Sequence, residues 1–125
     1  MICWNARSIK TFGALERLIN FKKFHNLSII AVLEPFANVS LLDSYRMQLM
    51  MNSAHSNPNN KIWLFWSKEV TCSILESDQQ QITCEIMHEE CSEKFLITFV
   101  YAKCKDYLRR PLWESLLKWS NNGYP

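Results

Sequence analysis

The sequence predicts a mixed α/β domain, and three patterns carry that reading. Apolar residues recur near a 3.6-residue period between positions 12 and 24. An apolar run rich in β-branched residues follows at 28–33. From 62 to 101 the period falls to two, in four short runs separated by polar residues.

Ile2, Cys3 and Trp4 form a short apolar run that suits a buried strand. Thr11 is a candidate N-cap for the helix that follows. Phe12, Leu15, Leu18, Ile19 and Phe24 make its apolar face, opposite Glu16, Arg17, Lys22 and Lys23, and Asn26 ends it. The run at 28–33 is a second strand, so strand, helix and strand form a βαβ opening with both strands in one sheet. Glu34-Pro35 closes that strand, because proline has no N–H for a ladder. Residues 40–51 suit a short helix or an irregular segment. Residues 52–60, with Asn57-Pro58-Asn59-Asn60, read as a loop. The runs at 62–66, 70–75, 81–87 and 95–101 predict a four-strand antiparallel meander. A last helix starts near Arg110-Pro111, with Leu112, Leu116, Leu117 and Trp119 as its apolar side and Asn122-Gly123 as its stop.

A chain of 125 residues suits a single domain. Its net charge of +2 neither demands nor excludes a nucleic-acid partner. The 5 cysteines are odd in number and form no C-x-x-C pair, which predicts reduced thiols in an intracellular protein. His25, His55 and His88 stand far apart and beside no cysteine at zinc-site spacing. No targeting segment is visible, and no apolar run approaches the ~20 residues that cross a bilayer. The expectation is a soluble intracellular protein without a membrane partner.

Three polar residues stand where strands end: Asn5, Glu34 and Tyr101. Such groups converge when their strands share a sheet. Glu34 has the hard oxygens that suit Mg²⁺, Asn5 could bind a phosphate or hold Glu34, and Tyr101 could donate to a phosphate oxygen. Each also has an ordinary structural reading, as a solvated strand exit, a turn residue and a packed ring. Lys103, Lys105, Arg109 and Arg110 lie close to Trp113, and basic residues interleaved with aromatics suit a nucleic-acid backbone. A solvated helix start would look the same.

The order of several short motifs resembles a known family. Trp4-Asn5-Ala6-Arg7-Ser8 is similar to the W-N-x-R-G/S opening of the endonuclease domain in plant LINE-type, non-LTR retrotransposons. That domain belongs to the endonuclease/exonuclease/phosphatase superfamily. Residues 29–34 resemble its second strand, which ends on a metal-binding glutamate. Residues 61–66, Phe99-Val100-Tyr101-Ala102 and Arg109-Arg110-Pro111-Leu112-Trp113 resemble its later landmarks. The resemblance implies a Mg²⁺-dependent phosphodiesterase fold, a four-layer α/β sandwich, here truncated to its N-terminal half over residues 1–125. It implies metal binding at Glu34, phosphate contacts at Asn5 and Tyr101, and DNA contacts at Arg7, Lys103, Lys105, Arg109 and Arg110. A DNA-directed role points to the nucleus.

Arg7 departs from the acidic residue that many superfamily nucleases carry there. The family's G-D-x-N and S-D-H segments, which supply the nucleophile-positioning and base residues, do not occur in these 125 residues. The expectation is therefore an inactive fragment with weak or vestigial Mg²⁺ affinity, and the alternative is a nonenzymatic nucleic-acid- or protein-interaction module. A half-sandwich would also expose an apolar sheet face, with 62–66 as its main patch, leading to self-association and marginal stability.

Overall fold

A computed structural model describes residues 1–121. Two sheets and three helices make up a mixed α/β fold. The first sheet contains β1 (Ile2–Asn5), β2 (Ile29–Leu33), β3 (Ser53–Ser56) and β4 (Ile62–Trp66), in the order β1-β2-β4-β3. β1 runs parallel to β2, and β4 runs antiparallel to both β2 and β3. The second sheet is an antiparallel meander of β5 (Val70–Ser77), β6 (Gln81–His88) and β7 (Phe95–Val100).

The β1–α1–β2 opening follows the sequence pattern, with α1 at Ala14–His25. Its start is later than Thr11. Gly13 holds the cap position at φ 78°, a left-handed conformation that glycine adopts without steric cost, and a Cβ there would sit 3.0 Å from Arg17 Nη1. Thr11 contributes its carbonyl, which accepts the Ala14 N–H at 2.9 Å. The apolar face is narrower than the periodicity suggests. Leu15, Leu18 and Ile19 pack on the core, whereas Phe12 and Phe24 are 98% and 85% exposed. Asn26 ends the helix in the left-handed region at φ 51°.

α2 occupies Leu42–Gln48, preceded by a 3₁₀ turn at Val39–Leu41. The loop expected at 52–60 contains β3. Its Ser-Ala-His-Ser sequence has no apolar alternation, because an edge strand needs only backbone pairing with one neighbour, here Ser53 to Ser56 against Trp66 to Trp63.

The four-strand meander is corrected to three strands. Residues 62–66 belong to the first sheet, between β2 and β3, and residues 67–69 carry the chain into the second. The physical reason is burial on both faces. Val32, Trp63 and Phe65 face a core shared with α1 and α2, while Ala31, Ile62 and Leu64 face the second sheet. The expected exposed patch is thus the most enclosed strand of the protein: Ile62, Trp63, Leu64 and Phe65 are all fully buried.

Between the sheets, Ile29, Ala31, Ile62 and Leu64 meet Val70, Ile82, Cys84, Ile86 and Phe99. β5 is bulged between Ile74 and Glu76. There the Glu76 carboxylate accepts from Ser115 Oγ at 2.6 Å and Trp119 Nε1 at 2.8 Å, tying α3 (Arg110–Ser120) to the second sheet. Leu112 is the buried anchor of α3, but Leu117, expected on its apolar side, is 64% exposed. The expected stop at Asn122-Gly123 lies outside the described residues. No described helix is long and apolar enough to cross a membrane.

Candidate functional site

Glu34 and Tyr101, expected to converge if their strands share a sheet, meet although they follow strands of different sheets. The Tyr101 hydroxyl donates to Glu34 Oε1, joining residues that lie 67 positions apart in the chain. Glu34 follows β2 in the first sheet and Tyr101 follows β7 in the second, so the contact bridges the two sheets at one end. Both side chains are half-buried.

Strand alternation alone would aim Glu34 the wrong way. Ile29, Ala31 and Leu33 face the second sheet, and Ile30 and Val32 face the helices, so the next residue would also turn toward the helices. Glu34 instead has φ 51°. This left-handed residue breaks the alternation and accompanies the carboxylate's turn toward Tyr101. Arg7 at φ 46°, Ser8 at φ 101° and Phe36 at φ 47° depart from the usual regions nearby. Such conformations typically cost of order 1–3 kcal/mol each and persist where the surroundings over-determine them. Here Ala6 N–H donates to Leu33 O at 2.9 Å, Ser8 N–H to Glu34 O at 2.9 Å and Ile9 N–H to Pro35 O at 2.8 Å. These bonds stitch the two strand exits together.

The Glu34 hydrogen bond, aided by burial, pushes the Tyr101 hydroxyl from 10.0 up to about 12. A raised folded value favours the neutral phenol. The contact's contribution to stability is complete below pH 10 and is lost as pH rises through about 12. Tyrosinate absorbance should therefore show one tyrosine titrating late, and Glu34→Gln should bring it back toward 10.0. Identical titration curves for the two proteins would remove the contact.

Asn5 is exposed and pairs in register with Leu33, which places it one position from Glu34 across the parallel ladder. Its Oδ1 accepts the Arg7 N–H at 3.2 Å and closes the bend after β1. Arg7 is exposed on that bend.

The basic group divides in two. Arg109 is turned onto its own loop: Nε donates to Lys103 O at 2.6 Å, Nη2 to Cys104 O at 2.7 Å, and Nη1 pairs with Asp106 at 3.2 Å. Lys103 is half-buried and its ammonium donates to Gln79 Oε1. Lys105 and Arg110 are exposed and able to meet a phosphate backbone.

Two polar residues not singled out from the sequence organise this end of the molecule. Gln80 is nearly buried and holds the segment after β7 three times: its carbonyl accepts Tyr101 N–H at 2.8 Å, its Oε1 accepts Lys103 N–H at 2.8 Å, and its Nε2 donates to Leu108 O at 2.7 Å. Asn57 links the 57–60 turn to β4 and to the β5–β6 turn. Only the turn-rich composition around them hinted at either.

Glu34 supplies one hard carboxylate, and Asn5 an amide oxygen already accepting one bond. That donor chemistry fits Mg²⁺, which keeps several waters and takes one or two carboxylates. Among the described residues no cluster of three or more His, Cys, Asp or Glu side chains is placed to hold a metal. Neither models of known protein families nor curated proteins yield a match to this chain.

Proposed function

We propose that residues 1–125 are the first portion of a Mg²⁺-dependent endonuclease-like domain of the endonuclease/exonuclease/phosphatase type, of plant LINE-retrotransposon ancestry, and that they bind without hydrolysing. The observation that carries the reading is the Glu34–Tyr101 contact. The two residues that the resemblance assigns to metal and phosphate come from different sheets and meet at one point. The two face-to-face sheets, with helices against them, support a truncated four-layer sandwich.

In this reading Glu34 holds Mg²⁺ through its carboxylate, Asn5 and Tyr101 contact the phosphate, and Arg7, Lys105 and Arg110 approach the DNA backbone. Bound Mg²⁺ would supply positive charge to a phosphodiester oxygen. Tyr101 has one O–H, which Glu34 accepts here, so in this reading the hydroxyl turns from the carboxylate to a phosphate oxygen as Mg²⁺ takes its place on Glu34. Hydrolysis further requires a positioned base and charge stabilisation on the other side of the phosphate, and these residues contain no G-D-x-N or S-D-H segment to provide them.

The purified chain with Mg²⁺ should leave supercoiled plasmid intact, as should Glu34→Gln. Nicking by the first and not the second would establish a complete active site and overturn the inactive reading. Calorimetry should detect weak Mg²⁺ binding that Glu34→Ala abolishes, and equal affinity in the two proteins would dismiss the metal site.

The exposed Lys105 and Arg110 favour a second reading, a nonenzymatic nucleic-acid module. It requires DNA affinity that falls steeply with salt and is indifferent to Mg²⁺.

A further inference from the structure

A cleft of about 290 Å³ opens beside the candidate site, between the β5–β6 turn and the segment leading into α3. Asp78, Gln79 and Lys103 stand on its wall, and Tyr107, Leu108 and Pro111 supply its apolar lining. We propose that this cleft is a subsite for one unstacked base of single-stranded nucleic acid, with the Tyr107 ring as the stacking surface and Lys103 as the contact to an adjoining phosphate. The inference rests on the nuclease-like reading and adds to it the form of nucleic acid bound.

Two observations and a general property of bases support it. Tyr107 is 62% exposed and lines the cleft beside Leu108 and Pro111 rather than packing in a core. Successive bases stack on rings of this kind whatever their sequence, because every base presents a π-face. Lys103 retains donors, since an ammonium has three and Gln79 accepts one.

The wall is also held in advance of any ligand. Gln80 fastens the backbone at Lys103 and Leu108, and Arg109 fastens the carbonyls of Lys103 and Cys104. A segment ordered beforehand loses less entropy on binding. The Gln80 carbonyl also accepts the Tyr101 N–H, which ties the cleft wall and Tyr101 to one residue. A base paired inside a duplex cannot reach a ring in such a cleft, whereas an unstacked base can.

The test is fluorescence anisotropy with a fluorescein-labelled thymidine oligonucleotide in EDTA, where Glu34-bound metal plays no part. Tyr107→Ala should weaken binding by about fivefold to a hundredfold, the range of one base–aromatic stack. Tyr107→Phe, which keeps the ring, should bind like the parent chain. An oligonucleotide with abasic positions should bind the parent more weakly and should not distinguish Tyr107→Ala from it. Circular dichroism establishes that each variant is folded.

Unchanged affinity for Tyr107→Ala, or an equal loss on the abasic probe, overturns base stacking. Absence of binding by the parent chain in EDTA overturns the subsite. The metal site is judged separately, by Mg²⁺ calorimetry on Glu34→Ala, so either idea can fall while the other stands.

Discussion

Trp63→Ala is expected to remove a large share of the stability of the domain. Trp63 is fully buried on the central strand β4, with Tyr45 and Phe65 at ring-centroid distances of 5.6 and 6.3 Å. Truncating a buried tryptophan to alanine typically costs about 3–5 kcal/mol, against total stabilities of about 5–15 kcal/mol for ordinary domains. The indole is also part of a polar chain. Its Nε1 donates to Asn60 Oδ1 at 2.5 Å, while Asn60 Nδ2 donates to Ala37 O at 2.6 Å, so the loss reaches the segment after Glu34. Urea denaturation followed by circular dichroism provides the measurement. Trp63→Phe should fall between the parent and the alanine variant, and Trp113→Ala, at a residue 53% exposed, serves as the comparison. If Trp63→Ala unfolds at the same urea concentration as Trp113→Ala, the central placement of β4 is wrong.

Asn57→Ala should be the next most damaging single change, at about 3 kcal/mol, because it strands buried backbone groups. Asn57 is 3% exposed, and its Oδ1 accepts both Lys61 N–H and Ile62 N–H at 2.9 Å. Its Nδ2 donates to Asn59 Oδ1 at 2.8 Å and to Asp78 O at 3.0 Å, the second bond crossing from the first sheet's turn to the second sheet's. Alanine removes all four bonds. Amide hydrogen exchange should quicken at Lys61 and Ile62 in this variant. Protection at both positions equal to that of the parent would show that the side chain is not their partner.

The opening β1–α1–β2 unit was readable from residue order because its signals are local. A 3.6-residue period, a terminating asparagine and a β-branched run each act over a few positions. β3 was unreadable for the opposite reason: Ser53 to Ser56 are strand only because β4 lies beside them. The misassigned meander has the same origin. A run such as Ile-Trp-Leu-Phe reports burial on both faces, but not which sheet encloses it.

At the site, Glu34 and Tyr101 could be found from the prolines, runs and breaks that mark strand ends. Their meeting was anticipated only for strands of one sheet, not for strands of two. It depends on a left-handed backbone at a glutamate, for which composition gives no cue, and on the stacking of two sheets. Arg109 is the converse case. Its charge suggested an outward contact, yet three nitrogens of its guanidinium are engaged within residues 103–106.

The Glu34–Tyr101 bridge would also couple any recognition at this point to folding. Its partners reside on separate sheets, so the pair exists only in molecules whose sheets have docked. An open intermediate would have the same residues and no site. Any ligand gripping both side chains would therefore draw the population toward the docked form by mass action, by about 2.7 kcal/mol at a hundredfold excess over its dissociation constant. Binding there would act as a clasp on the tertiary structure.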